Sequence, residues 1–89
     1  MKSTAITRNG VSLSTIQKGT SVRIRTIRGG RHILSRLACL GFTPGARLKV
    51  VQNYGHGPII VTLRDTQVAL GRGEACKIIV ERLEAEGGH

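Results

Sequence analysis

Two cysteines and three histidines are the side chains of this sequence best suited to bind a metal or act as nucleophiles. They are Cys39, Cys76, His32, His56 and His89. No two of them stand at the HxxxH or CxxC spacing that is common in zinc sites. Cys39 lies beside Leu40 in a helical pattern, which is typical of a small core residue. The sequence therefore predicts no resident metal and no cofactor, although zinc shared between exposed His and Cys side chains stays open.

Carboxylates are too sparse to predict catalysis. General acid–base chemistry needs two positioned titratable groups, but the only carboxylates before residue 81 are Asp65 and Glu74, each beside a turn. The glycine-rich stretches 28–30 and 71–73 match neither a Walker loop nor a GxGxxG that opens a helix. The local spacing suggests no Ser-His-Asp or Cys-His set, so we expect that this chain is not an enzyme.

The charge of the chain predicts an anionic partner. Fourteen Lys and Arg face five Asp and Glu, for a net charge of +9, and the first 64 residues contain no carboxylate side chain. An acidic protein face, nucleic acid or anionic lipid would each be attracted. Because single-strand binders usually stack bases on aromatic platforms, and Phe42 and Tyr54 are the only aromatics, nonspecific nucleic-acid binding is the alternative function and no specific readout is expected. The basic residues that could form its stripe are Arg23, Arg25, Arg28 and Arg31, with Arg47, Lys49 and Arg64 extending it.

Period-two alternation predicts five short strands. In "TSVRIRTIRGG" (20–30), Val22 and Ile24 alternate with Arg23 and Arg25, which indicates a half-buried strand with a cationic outer face. Ile27 breaks the alternation and indicates a bulge or an exposed apolar residue. The other predicted strands are 46–55, 59–65, 67–71 and 77–83, with a tight connection at Asp65-Thr66 and a single helical turn at 72–76.

One short helix interrupts this pattern in "RHILSRLACLGF" (31–42). Its apolar stripe, which consists of Ile33, Leu34, Leu37 and Leu40, has helical spacing. Gly41 suits the C′ position after the helix and Phe42 the C″ position. Pro44-Gly45 suits the two central positions of a type II turn. We expect Leu34, Leu37 and Leu40 to close one end of a β-barrel core, and a partner surface can coexist with that role.

The chain is therefore predicted to be mainly β: a small barrel of about five strands with one short helix after the first strand. We expect a loosely ordered leader at 1–11, one ordered domain at 12–83 and a flexible tail at 84–89. The N-terminus has no apolar signal-peptide region and the longest strictly apolar runs are three residues, such as Ile59-Ile60-Val61. Two cysteines do not form a disulfide framework. A cytoplasmic location with reduced thiols is expected.

Three stretches carry a family resemblance that covers about residues 12–82. They are R-L-A-C-L-G-F-T-P-G at 36–45, Gly57-Pro58 before a strand, and "VALGRGEACKIIV" at 68–80. Together they resemble the ferrous-iron transport protein A family, FeoA, the small cytoplasmic member of the bacterial Feo system. The resemblance implies an SH3-like barrel. Similar modules also form the C-terminal domain of iron-dependent repressors.

The resemblance implies a role without catalysis. It implies an accessory protein of ferrous iron uptake that binds and modulates FeoB, the Feo membrane transporter with a GTP-binding domain, and that meets the membrane only through this partner. In this family interpretation the helix and its exit form the docking surface, which combines apolar contact with one cation. Self-association through exposed sheet edges stays open. The predicted partner-binding residues are Arg36, Leu37, Leu40, Gly41, Phe42 and Pro44.

Overall fold

The computed structural model describes residues 10–83. Six strands form one antiparallel sheet in the order β1-β6-β2-β3-β4-β5, so that β1 and β5 are its edges. The strands are β1 (Val11–Ser12), β2 (Ser21–Ile27), β3 (Arg47–Gln52), β4 (Ile59–Leu63), β5 (Thr66–Leu70) and β6 (Ile78–Arg82). The predicted mainly-β architecture is confirmed, since the five longer strands correspond to the five expected from alternation.

Two details of the sheet differ from the sequence prediction. Val11, assigned to the leader, pairs with Val80 and forms β1 together with Ser12; two residues are too few for an alternating pattern to be visible. The connection between β4 and β5 is a two-residue turn at Arg64-Asp65, one residue earlier than expected, because Leu63 pairs directly with Thr66. The remaining leader and tail residues, 1–9 and 84–89, lie outside the described residues.

The alternation of each strand places its apolar residues in a single core. Leu48 and Val50 of β3 and Ile78 and Val80 of β6 are buried, while Lys49, between the two β3 residues, stays exposed. Fully burying an aliphatic side chain of this size contributes about 1.5–3 kcal/mol. The buried residues are Leu13, Ile16, Val22, Ile24, Leu37, Phe42, Leu48, Val50, Ile59, Val61, Leu63, Leu70, Ala75, Ile78 and Val80.

The irregularity at the end of β2 is a bulge. Ile24 pairs with Val80 of β6, but Thr26 pairs with Ile79, so the register shifts between Ile24 and Thr26. The extra residue moves Ile27 toward the core, where it packs half-buried against the buried cluster. The break in alternation that the sequence displays at Ile27 is therefore the bulge.

Two α-helices and one 3₁₀ helix connect the strands. Helix α1 (Arg31–Cys39) follows β2, and helix α2 (Arg72–Ala75) is the single turn expected between β5 and β6. The 3₁₀ helix Leu13–Thr15 was not predicted; the Ser12 hydroxyl caps it by accepting a hydrogen bond from the Ser14 backbone N–H at 3.1 Å. No helix among residues 10–83 has the length and apolar character to cross a membrane.

Candidate protein-binding surface

The exit of α1 is fixed by two backbone hydrogen bonds. The Gly41 N–H donates to the Ala38 carbonyl at 2.9 Å, and the Phe42 N–H donates to the Leu37 carbonyl at 3.0 Å. This pair of bonds is a Schellman motif, with Gly41 at C′ and a φ of +97° that L-residues rarely adopt. The predicted helix stop is confirmed, since these two bonds close the last turn of α1. At the other end, the first turn of α1 has no side-chain cap.

The chain then turns once more before β3. The Ala46 N–H donates to the Thr43 carbonyl at 2.9 Å across Pro44-Gly45, and Gly45 has a φ of +94°, as a type II turn requires. The Gly45 N–H also donates to the Ile24 carbonyl of β2 at 2.8 Å. The segment from Gly41 to Ala46 is therefore attached both to α1 and to the sheet.

Two of the six predicted partner-binding side chains belong to the core. Leu37 and Phe42 are both fully buried, and Phe42 is the largest buried side chain among the described residues. The Schellman geometry explains the position of Phe42, because a C″ side chain folds back onto the helix and the core beneath it. These two side chains support the surface from below and are not available to contact a partner directly.

Leu40 and Leu34, in contrast, do not close the core as expected. Leu40 is 47% exposed and Leu34 is 39% exposed. Within this nine-residue helix, Leu37 is the one residue that is fully buried in the core. The leucines three residues to either side are left at the surface, where apolar side chains of this size gain by contact with a partner.

Arg36 lies one helical turn before Leu40 and on the same side of the helix. Its guanidinium contacts the Glu74 carboxylate of α2 at 3.2 Å. The pair joins the two helices, but the arginine side chain remains largely exposed. Exposed ion pairs contribute at most about 1 kcal/mol, so the guanidinium can exchange Glu74 for an acidic group of a partner.

These residues define the exit ridge, which consists of Arg36, Leu40, Gly41 and Pro44. Arg36, Leu40 and Pro44 are exposed and Gly41 is half-buried. A Cβ at Gly41 would lie 2.9 Å from the Cδ2 of buried Leu63, so the ridge sits directly on the core. The ridge offers an apolar contact beside one cation on a rigid support, which suits a protein partner.

The candidate metal ligands are not brought together. Among residues 10–83 no group of three or more His, Cys, Asp or Glu side chains could hold an ion. Cys39, expected in the core, is exposed, because it lies on the outer side of α1; Cys76 is exposed as well. His32 and His56 are also exposed, and His89 lies outside the described residues.

Arg72 organises the loop between β3 and β4, and sequence reasoning missed this role. Its guanidinium donates to the Gly57 carbonyl at 3.1 Å, the Ser14 carbonyl at 3.0 Å and the Asn53 side-chain oxygen at 3.1 Å. Asn53 in turn donates to the Ile16 carbonyl at 2.8 Å. The loop that carries Tyr54, 69% exposed, is thus held to the 3₁₀ helix by side chains far apart in sequence.

The cationic face of β2 is partly neutralised by one carboxylate. Glu81 on β6 accepts hydrogen bonds from Arg23 at 2.6 and 2.9 Å and from Arg25 at 3.1 Å. The two hydrogen bonds from Arg23, and then the one from Arg25, hold the pKa of Glu81 below its usual value. Two of the cations in the expected nucleic-acid stripe are therefore already paired within the chain.

The family is decided by a match that covers most of this architecture. The model of the FeoA domain family matches residues 11–82, from β1 to the end of β6. The chain belongs to the FeoA family. This assignment makes it a member of a family of accessory proteins of ferrous iron transport, and the SH3-like fold expected for such a member is confirmed.

Individual relatives agree with the assignment. A protein of Methanocaldococcus jannaschii named Fe(2+) transport protein A is 36% identical over 75 residues, which cover 84% of this chain and 90% of that protein. The crystal structure of an iron uptake regulatory protein (FeoA) is 33% identical, with a TM-score of 0.76 over 82% of this chain and 96% of that chain. The zinc-bound FeoA of Stenotrophomonas maltophilia is 28% identical, with a TM-score of 0.70 over 80% of this chain and 89% of that chain.

Proposed function

We propose that this FeoA-family chain binds the cytoplasmic, GTP-binding part of a FeoB-type ferrous iron transporter and modulates it through contacts made by the exit ridge. Membership of the FeoA family supports the link to ferrous iron transport. The S. maltophilia FeoA, a prokaryotic SH3 domain protein, has been suggested to act as a ferrous iron transport activating factor. In this proposal the chain acts without catalysis of its own and reaches the membrane only through its partner.

The exposure of Leu40 is the observation that carries the proposal. The residue follows a helix whose last turn is closed by backbone hydrogen bonds, and the next side chain but one, Phe42, is fully buried. The backbone of Leu40 is thus fixed by hydrogen bonds, with about half of the residue's surface in water. A partner that covers the side chain does not have to order the backbone that carries it.

Arg36 gives the ridge its polarity. Apolar contact at Leu40 supplies affinity, and exchange of Glu74 for an acidic group of the partner supplies orientation. Since the ion pair with Glu74 is solvent-accessible, little is lost when it opens. Binding is therefore expected to retain an apolar component when salt is raised.

The test is a pull-down from native membranes at moderate salt with nuclease present, using the tagged chain and two glutamate variants. Leu40→Glu should lose the transporter, because it places a charge in the apolar contact. Leu34→Glu is the matched control: the same change at a leucine of similar exposure that lies within α1 and outside the ridge. Both variants should keep the wild-type thermal unfolding transition, since exposed substitutions usually change stability by about 0.5 kcal/mol or less.

The outcomes distinguish binding through the exit ridge from binding through the basic surface. Retention of the transporter by Leu34→Glu and its loss by Leu40→Glu supports docking at the ridge. Equal retention by both variants would place the contact elsewhere. Recovery of no transporter by the wild-type chain, with nucleic acid recovered once nuclease is omitted, would instead favour nonspecific nucleic-acid binding by the basic surface.

A further inference from the structure

An open groove lies on the side of the sheet where β3 and β4 meet the loop before β2. Its volume is about 720 Å³. It shares no lining residue with the exit ridge, so a ligand bound here would be independent of the proposed function. Side chains that define its chemistry are Thr20, Arg47, Lys49, Thr62, Arg64 and Leu83.

The groove carries three cations that no carboxylate among residues 10–83 neutralises. Arg47, Lys49 and Arg64 form no ion pair within that range, whereas Arg23, Arg25 and Arg36 all have a glutamate partner. Asp65 is the one acid among the described lining residues. The groove is therefore net cationic. Arg23, which lies directly opposite Arg47 across β2 and β3, already has its charge balanced by Glu81, so Arg47, Lys49 and Arg64 are the cations left for an anion to neutralise.

Arg64 occupies a backbone position that does not favour arginine. It is the first central residue of the turn between β4 and β5 and has a φ of +52°, while Asp65 follows with +68°. Turns with positive φ at both positions prefer Asn-Gly or Asp-Gly. The Arg64 side chain is exposed, so core packing does not explain its presence. A cation at such a position, on the rim of a cationic groove, supports a binding role.

The spacing of the cations indicates which class of anionic ligand fits the groove. Arg47 and Lys49 are alternate residues of one strand and project on the same face about 7 Å apart. An extended peptide presents the side chains of its own alternate residues with the same period. Among the described residues, the lining contains no aromatic side chain on which the bases of a single-stranded nucleic acid could stack. Its concave shape also fits an extended chain better than it fits a flat lipid surface.

We propose that this groove binds an extended acidic peptide segment of a partner protein, with carboxylates at alternate positions. Arg47 and Lys49 each receive one carboxylate, and Arg64 receives a third at the rim. The Thr20 and Thr62 hydroxyls, which belong to the same lining, are available to donate to carboxylate oxygens. Leu83 offers an apolar contact to the intervening residues.

The probe is a labelled peptide about nine residues long, with glutamate at every second position and serine between. It spans about 30 Å when extended. Its affinity is measured by fluorescence anisotropy at low salt, and amide shifts of the wild-type chain map the contact by NMR. The double variant Lys49→Gln/Arg64→Asn removes two groove cations and suits the turn, since asparagine tolerates positive φ. Arg28→Gln/Arg31→Gln is the matched control, because it removes the same charge from positions outside the groove.

The expected loss is about three- to fivefold per groove cation, against less than about twofold for the control double variant. Amide shifts should concentrate at Thr20, Ser21, Lys49 and Thr62. Leu40→Glu should bind the probe as the wild type does, so a failure at the exit ridge and a failure at the groove are distinguishable. Equal losses in the two double variants, shifts spread over the whole basic surface, or tighter binding of an oligothymidylate of equal charge would each overturn the proposal.

Discussion

The chain enters the left-handed backbone region at the exit of α1 and again at the turn between β4 and β5, with different residues. At the exit, Gly41 and Gly45 have φ values of +97° and +94°, and glycine adopts such angles without steric strain. At the turn, Arg64 and Asp65 adopt +52° and +68°, where their side chains add strain. In the first region the residues serve the fold. In the second, two charged residues occupy strained backbone positions beside the groove.

The largest expected loss of stability comes from Phe42, the buried side chain beneath the exit ridge. Phe42→Ala removes the largest buried side chain of the described residues and should lower the free energy of unfolding by about 3–5 kcal/mol. Urea denaturation followed by circular dichroism measures this loss. Phe42→Leu keeps most of the volume and should lose clearly less. A loss below about 1 kcal/mol for Phe42→Ala would mean that Phe42 does not anchor the exit.

A smaller loss is expected at the glycine of the same region. Gly41→Ala forces a Cβ to within 2.9 Å of Leu63 Cδ2 and places alanine at positive φ, so stability should fall by about 1–3 kcal/mol. Gly73→Ala is the control, because that glycine lies inside α2, has open space around its Cβ position and does not have a positive φ. Equal thermal stability of the two variants would contradict the role given to the Schellman motif.

At the turn between β4 and β5, a substitution should raise the free energy of unfolding instead of lowering it. Arg64→Asn relieves the left-handed conformation and should raise the free energy of unfolding by up to about 1 kcal/mol, while it weakens binding of the acidic probe. Arg64→Ala keeps the strain and removes the same cation, so it should weaken binding without the gain in stability. Destabilisation by Arg64→Asn, measured by thermal unfolding, would show that the arginine serves the fold after all.

The smallest effect concerns the neutralised cations beside the groove. Because its folded-state pKa is lowered, Glu81 contributes stability that is present above its unfolded pKa, near 4.5, and is lost as the pH falls through the lower folded value. In Glu81→Gln, the free energy of unfolding should therefore fall less steeply as the pH is lowered through this range. We call this range of the pH profile the acid limb. It should also strengthen binding of the acidic probe slightly, because Arg23 is then unpaired beside Arg47. An unchanged limb would assign the acid sensitivity to other carboxylates.

The features that the sequence predicts well are those encoded by neighbouring residues. Alternation located β2 to β6, and the Gly41, Phe42 and Pro44-Gly45 pattern located the helix stop, because each depends on local backbone preferences. The exposure of Leu34 and Leu40 was not predictable, since the same apolar helical stripe is compatible with any depth of burial. The turn was placed one residue late because Arg64 violates the local preference. The contacts of Arg72 with Ser14 and of Arg23 with Glu81 join distant segments, and nothing in the local pattern encodes them.

The position of β6 has a consequence for how the chain folds. It is the last strand along the described residues, yet it lies between β1 and β2 and pairs with both. Until Ile78–Arg82 is available, β2 lacks one neighbour and β1 has none. Pairings between such distant segments make folding slower than in helical proteins of similar size. During synthesis the sheet can therefore close only after its last strand has left the ribosome, and removal of that strand would leave the edge of β2 open to pairing with other chains.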